Sequence, residues 1–222
     1  MMPVVYRRLR ARRGPFRVPG IFLDRDGVLA EEVGHLHRVS DLRYVEGALR
    51  AIAWLNTLGL PVVLITNQAG IGRGLYGWKE FREVQEQIER DLACFGGRLD
   101  GVWACAAHPL GRGEFAHPCH PFRKPNAGML YDAAECMHLD LCRSWLIGDQ
   151  LSDIEAGLRA GVAGVCHVAT GHGAATRTEV ECLLENFRGC PSEFCSCTSL
   201  AEAAQYILEK LEREPAWVGK RS

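Results

Sequence analysis

The chain lacks a long apolar run: no stretch approaches the ~18 uncharged apolar residues that a membrane helix requires. It also lacks net charge. At −1 over 222 residues there is no global field to draw it to nucleic acid or to an anionic membrane, so an anionic ligand must be held by a local site. No secretory leader is visible, since the first apolar run follows Val18 and is short. Disulfides are therefore not expected, despite ten cysteines, and most of these are expected to pack as small hydrophobes in a cytoplasmic protein. Internal repeats and long linkers are absent too. From Met1 to Pro19 acids are missing altogether, while six arginines (Arg7, Arg8, Arg10, Arg12, Arg13, Arg17) are present. An organelle-targeting or RNA-binding arm is one reading of residues 1–19, and a disordered basic tail is the expectation.

What is present is the composition of a soluble globular protein, 47% hydrophobic and 24% charged, long enough for one well-cored domain. Short apolar runs alternate with helical patterns. Gly20–Asp24, Pro61–Thr66, Val102–Ala106, Arg143–Gly148, Val162–Val168 and Phe194–Thr198 read as buried strands. Val45–Leu58, Trp78–Phe95, Ala127–His138, Ser152–Ala160 and Leu200–Leu211 read as helices, and Gly59 is a natural helix stop. His108–Lys124, rich in Pro, Gly and His, reads as loop. The alternation predicts right-handed βαβ units and a mainly parallel sheet covered on both faces, over residues 20–213, with 214–222 as a tail. Ligands of such sheets bind beyond the carboxyl ends of the strands, where Asp24, Thr66 and Asp149 would converge.

The chemistry at those ends is specific. Asp24-Arg25-Asp26-Gly27 sets two carboxylates two residues apart at a strand end. Phosphate monoesters hydrolyse very slowly, so a catalyst needs an in-line nucleophile and strong neutralisation of the phosphoryl oxygens. An aspartate can attack phosphorus and divide the hydrolysis into two easier steps; a second acid can protonate the leaving oxygen and then activate water. Asp24 is expected in the first role and Asp26 in the second. Gly27 is expected to turn the chain so that backbone N–H groups face the phosphate. Carboxylates facing a dianion require a cation, and hard oxygen ligands suit Mg²⁺, with Asp149 as a further ligand. Asp153 is expected either to support that ion or to cap the following helix. Thr66 and Asn67 can donate to phosphoryl oxygens and Lys124 can neutralise them.

The segments Phe-Leu-Asp-Arg-Asp-Gly-Val at 22–28, Thr-Asn-Gln-Ala-Gly-Ile-Gly-Arg-Gly at 66–74, Arg-Lys-Pro at 123–125 with Gly-Met-Leu at 128–130, and Gly-Asp at 148–149 resemble the haloacid dehalogenase (HAD) superfamily. More narrowly, they resemble its heptose-bisphosphate and histidinol-phosphate phosphatases, over about residues 20–171. The resemblance implies a HAD-like Rossmannoid three-layer α/β fold without a large cap, and Mg²⁺ held by Asp24, the Asp26 carbonyl and Asp149. It implies substrate contacts from the segment Glu32–His37, including Glu32, Gly34 and His35, and phosphate or sugar contacts from Thr66, Asn67, Gln68, Arg123 and Lys124. For His35 and His37 a substrate role and an ordinary loop role both stand. Arg73 could serve a second phosphate or lie on the surface.

The expected substrate is a small sugar phosphate, first a D-glycero-D-manno-heptose 1,7-bisphosphate, and the expected state a monomer. Histidinol phosphate is the second substrate, with Glu31 or Glu32 to pair its ammonium. A binding protein that has lost catalysis is the reading from another class, against which the intact aspartates, Thr66 and Lys124 argue.

Two departures from the family pattern stand out. The family often carries a zinc loop just before Arg-Lys-Pro. Here Ala107 and Phe122 occupy two of its four ligand positions, leaving Cys105, His108, Cys119 and His120, with His117 to spare, as an altered candidate Zn²⁺ set within 105–124. Gln150 stands where the heptose enzymes tend to have lysine. Near the C-terminus, Cys190, Cys195 and Cys197 allow a second zinc site, or simple alternation of Cys195 and Cys197 on one strand face.

Overall fold

The computed structural model describes residues 4–10 and 17–213. Residues 11–16 of the expected basic tail and the expected tail 214–222 lie outside the described residues, as do residues 1–3. The elements run β1 (Val5–Leu9), β2 (Ile21–Leu23), α1 (Ala48–Thr57), β3 (Val62–Asn67), α2 (Ala69–Gly72), α3 (Trp78–Cys94) and β4 (Gly101–Cys105). They continue as α4 (Gly128–Met137), β5 (Trp145–Gly148), α5 (Leu151–Ala160), β6 (Gly164–Val168), α6 (Gly173–Asn186), β7 (Glu193–Cys197) and α7 (Leu200–Glu212). No helix among the described residues is long and apolar enough to cross a membrane.

The strands form one sheet in the order β1-β4-β3-β2-β5-β6-β7. All neighbours are parallel except β1 with β4. Because side chains alternate across a strand, Ile21 and Leu23 enter one apolar layer and Phe22 the other. The first layer holds Ile52 and Leu55 of α1, Phe81 and Ile88 of α3, and Ile207 of α7. The second holds Met129 and Leu130 of α4, Ile154 of α5 and Val180 of α6. The result is the expected three-layer α/β architecture, and no large cap domain is present among the described residues.

Besides the short α2, two elements depart from the sequence reading. Val5–Leu9, expected within a disordered tail, is an antiparallel edge strand with Val5 opposite Cys105 and Leu9 opposite Gly101. Its arginines find acids: Arg7 pairs with Asp132 at 3.1 Å and Arg8 with Glu89 at 2.8 Å. Tyr6, just before them, packs on Trp78 and Phe81. The run was masked by its charge, which is what an edge strand can carry. The second is α6, which buries only Gly173 and Val180 and so shows little helical periodicity in sequence.

Candidate active site

The carboxyl ends of β2, β3 and β5 open on a cleft of about 490 Å³. Asp24, Asp26, Glu32, Gly34, His35, Thr66, Asn67, Gln68, Arg123 and Lys124, widely separated in sequence, all line it. Asp149 is fully buried beneath, next to Asp24 and Asp153.

Lys124 organises the floor. Its ammonium is buried, 3.0 Å from Asp24 Oδ1 and 2.5 Å from Asp153 Oδ1, and donates to the Ile65 carbonyl at 3.1 Å. Burial works against its charge, but Asp153 and Asp24 outweigh that and raise its pKa. Asp153 takes the expected capping role, since its other oxygen accepts from the Gln150 N–H at 3.0 Å at the start of α5. Asn67 locks the lysine loop: its amide donates to the Lys124 carbonyl and accepts from the Lys124 N–H, each at 3.0 Å. Asn67 thus places Lys124 while itself lining the cleft.

One ammonium cannot balance three carboxylates. Oxygens of Asp24, Asp149 and Asp153 lie within 4.8 Å of one another. Burial, then the neighbouring acids Asp153 and Asp24, push Asp149 up to about 8; burial likewise pushes Asp24 up to about 7, against the pull of Lys124. Asp149 Oδ2 accepts from the His172 N–H at 2.7 Å, while the buried Oδ1 has no hydrogen-bond partner. An orphaned carboxylate oxygen beside a second and third carboxylate is the donor set of a hard divalent cation. The glycines confirm how closely chain and carboxylate approach. A Cβ on Gly27 (φ +85°) would stand 2.3 Å from Asp149 Oδ2, and one on Gly171 (φ +58°) 2.4 Å from the same atom. The Gly27 N–H, however, donates to the Ala30 carbonyl at 2.7 Å and closes the turn instead of facing the cleft.

Asp26 is fixed by a network that the sequence showed only in part. Arg25, wholly buried, donates to Asp26 from Nε and Nη2, each at 2.9 Å, and its guanidinium lies over the Phe81 ring. Gln68 donates from Nε2 to Asp26 Oδ2 at 3.2 Å and to Thr66 Oγ1 at 2.9 Å. Its Oε1 accepts from Tyr76 O–H at 2.6 Å and from Arg25 Nη2 at 3.3 Å. Gln68 therefore uses its full hydrogen-bonding capacity inside the protein, and Thr66 keeps its own O–H free to donate.

Tyr76, Ser152 and His172, which the sequence did not single out, also line the cleft, as does Gln150, the residue at the family's lysine position. Thr176 of α6 donates to the Asp149 carbonyl at 2.8 Å, and His167 Nε2 lies 3.1 Å from it. Thr176 carries no sequence signal because α6 shows little periodicity, and the others stand outside the motifs. Glu32 accepts from the Gly34 N–H at 2.5 Å and lies 3.7 Å from His172 Nε2. His37 stacks on Tyr76 at 5.1 Å, and Arg73 is exposed outside the cleft lining.

The candidate zinc set does not assemble. Cys105 and His120 approach at 3.7 Å, but Cys119 is exposed and the four do not converge among the described residues. His108 Nδ1 accepts from the Leu110 N–H and His120 Nδ1 from the Phe122 N–H, so these ring nitrogens cap local turns. Backbone bonds such as His108 N–H to the Phe115 carbonyl at 3.0 Å hold the loop together.

The HAD-hydrolase-like family model matches residues 121–187. The D-glycero-beta-D-manno-heptose-1,7-bisphosphate 7-phosphatase of Mesorhizobium japonicum is 43% identical over 156 residues, 70% of this chain and 72% of that one. The chain belongs to the HAD-like heptose-bisphosphate phosphatase family. It is a phosphatase, a phosphoric monoester hydrolase. The enzyme of the same description from Escherichia coli K12 is 36% identical, covering 69% of this chain and 81% of its own. In fold it is similar to the D,D-heptose 1,7-bisphosphate phosphatase of B. bronchiseptica complexed with magnesium and phosphate. The TM-score is 0.74 at 31% identity, covering 87% of this chain and 99% of the other. Lys124 and Asp149 both fall inside the segment that the family model matches.

Proposed function

We propose that this phosphatase removes one phosphate, the 7-phosphate, from D-glycero-D-manno-heptose 1,7-bisphosphate, with Asp24 as nucleophile and Mg²⁺ as cofactor. The observation that carries the mechanism is the Asp24–Lys124–Asp153–Asp149 floor, with an unpartnered Asp149 Oδ1. The substrate reading rests on the relatives' activity and on a cleft of sugar-phosphate size. Asp24 and Asp149 would hold Mg²⁺, which when bound neutralises phosphoryl charge and lets Asp24 stay ionised near a dianion.

The protein's own groups do the rest. Lys124 Nζ, 3.0 Å from Asp24 Oδ1, orients the carboxylate and offers a proton-bearing charge to an equatorial phosphoryl oxygen. Thr66 O–H donates to another. As the Asp24–phosphorus bond forms, the bond from phosphorus to the sugar oxygen breaks, and Asp26 gives that oxygen its proton. Asp26 then takes a proton from water, which attacks phosphorus and releases Asp24 and phosphate. Arg123, anchored by donating to the Ala107 carbonyl at 2.8 Å, faces the cleft and is suited to the substrate's distal anion. With a net charge of −1 there is no global field, so capture of the anion falls to these local groups.

The test is phosphate release from both heptose 1,7-bisphosphate anomers, other sugar phosphates and histidinol phosphate, with Mg²⁺ and with chelator. Preference for one heptose bisphosphate, lost with chelator and in Asp24→Asn, supports the reading. Near-normal turnover by Asp24→Asn overturns the mechanism, and preference for histidinol phosphate overturns the substrate.

A further inference from the structure

Three cysteines that the phosphatase site does not use meet at the far edge of the sheet. Strand pairing sets Cys166 of β6 directly opposite Cys195 of β7, and Cys197, two residues on, shares the face of Cys195. Their sulfurs all lie within 4.8 Å of one another, and Cys195 Sγ is 3.3 Å from Cys197 Sγ. All three are free thiols. Cys190, the other cysteine near β7, stays outside the group and donates to Ser192 Oγ.

We propose that Cys166, Cys195 and Cys197 form a binding site for a thiophilic divalent metal ion. Three thiolates around a tetrahedral ion at a metal–sulfur distance of about 2.3 Å stand roughly 3.8 Å apart. The observed sulfur spacing brackets that separation, so an ion enters with small side-chain rotations and no backbone change. Soft sulfur ligands select zinc-class ions over magnesium, which keeps this centre chemically separate from the carboxylate floor. Cys166 and Cys197 are buried while Cys195 is half-buried, so the ion has an entry path and the fourth coordination position is open to water. Each coordinating thiol gives its proton to solvent, and the divalent charge offsets most of the resulting negative charge. The ion would act as a clasp: β7 pairs with β6 alone, and a metal bridging the two strands ties this edge to the sheet.

The test uses the full chain with its five exposed cysteines, Cys94, Cys119, Cys136, Cys142 and Cys182, replaced by serine, reduced and stripped of metal. Titration with Cd²⁺ alone is expected to give a thiolate-to-metal charge-transfer band that saturates at one equivalent, with a rise in Tm, and Cd²⁺, the softer ion, is expected to displace Zn²⁺ loaded beforehand. Adding Cys195→Ser is expected to abolish the band and the Tm rise while phosphatase activity persists, which also shows that this variant folds. A saturating band that survives Cys195→Ser and Cys197→Ser, or no stoichiometric band in the five-serine protein, overturns the proposal.

Discussion

Gln68 donates to the carboxylate of Asp26 at 3.2 Å, although 42 residues separate them. The same amide accepts from Tyr76 O–H, so the acid is aimed by a chain of buried polar contacts. Removing the far end of that chain, Tyr76→Phe, is expected to lower kcat roughly fivefold, the worth of about one hydrogen bond, with little change in KM. Gln68→Leu, which leaves Arg25 and Thr66 short of partners, is expected to cost on the order of 100-fold in kcat. Steady-state kinetics decide; an unchanged kcat in both variants would show that Asp26 needs no such support.

Lys124 is the only ammonium against Asp24 and Asp153 among the described ion pairs. Lys124→Ala leaves two buried carboxylates uncompensated and is expected to cost about 3–5 kcal/mol of stability in chelator. Addition of Mg²⁺ is expected to restore part of the stability but not the turnover. Denaturant melts with and without Mg²⁺ measure this.

Mg²⁺ is expected to stabilise the protein increasingly as pH rises. Burial holds the pKa of Asp24 at about 7 and of Asp149 at about 8 in the metal-free protein, above the ordinary value of about 4 for an unfolded aspartate. Between those limits the native state binds more protons than the unfolded state, so metal-free stability falls as pH rises through the window. A bound cation removes the need for those protons. The difference in Tm with and without Mg²⁺ should therefore be larger at pH 8 than at pH 5.5; a constant difference would count against these aspartates as the ligands.

Deleting residues 1–10 is expected to lower Tm and solubility while leaving KM unchanged. The deletion removes the Tyr6 packing on Trp78 and Phe81 and bares the edge of β4. Thermal melts and light scattering of the truncated chain test it.

The sequence alone determined the layer order and the core of the site. Buried parallel strands are continuous apolar runs, and Asp24, Thr66 and Asp149 stand directly at their ends, so local pattern and function coincide there. Lys124 was legible for the same reason, as a cation in a motif just before a helix. Tertiary structure decided what pattern cannot express. Arg-rich Val5–Leu9 became a strand because Asp132 and Glu89 lie waiting on other elements. Asn67 and Gln68 took on positioning contacts as well as a place in the cleft lining, because an amide bonds whatever partner folding brings within 3 Å or so. The loop of Cys105, His108, Cys119 and His120 closed on its own backbone, whereas Cys166, far from Cys195 in sequence, was delivered opposite it by strand register. Sequence fixes which groups exist and how strands and helices alternate; only the packing of distant segments fixes which of those groups meet.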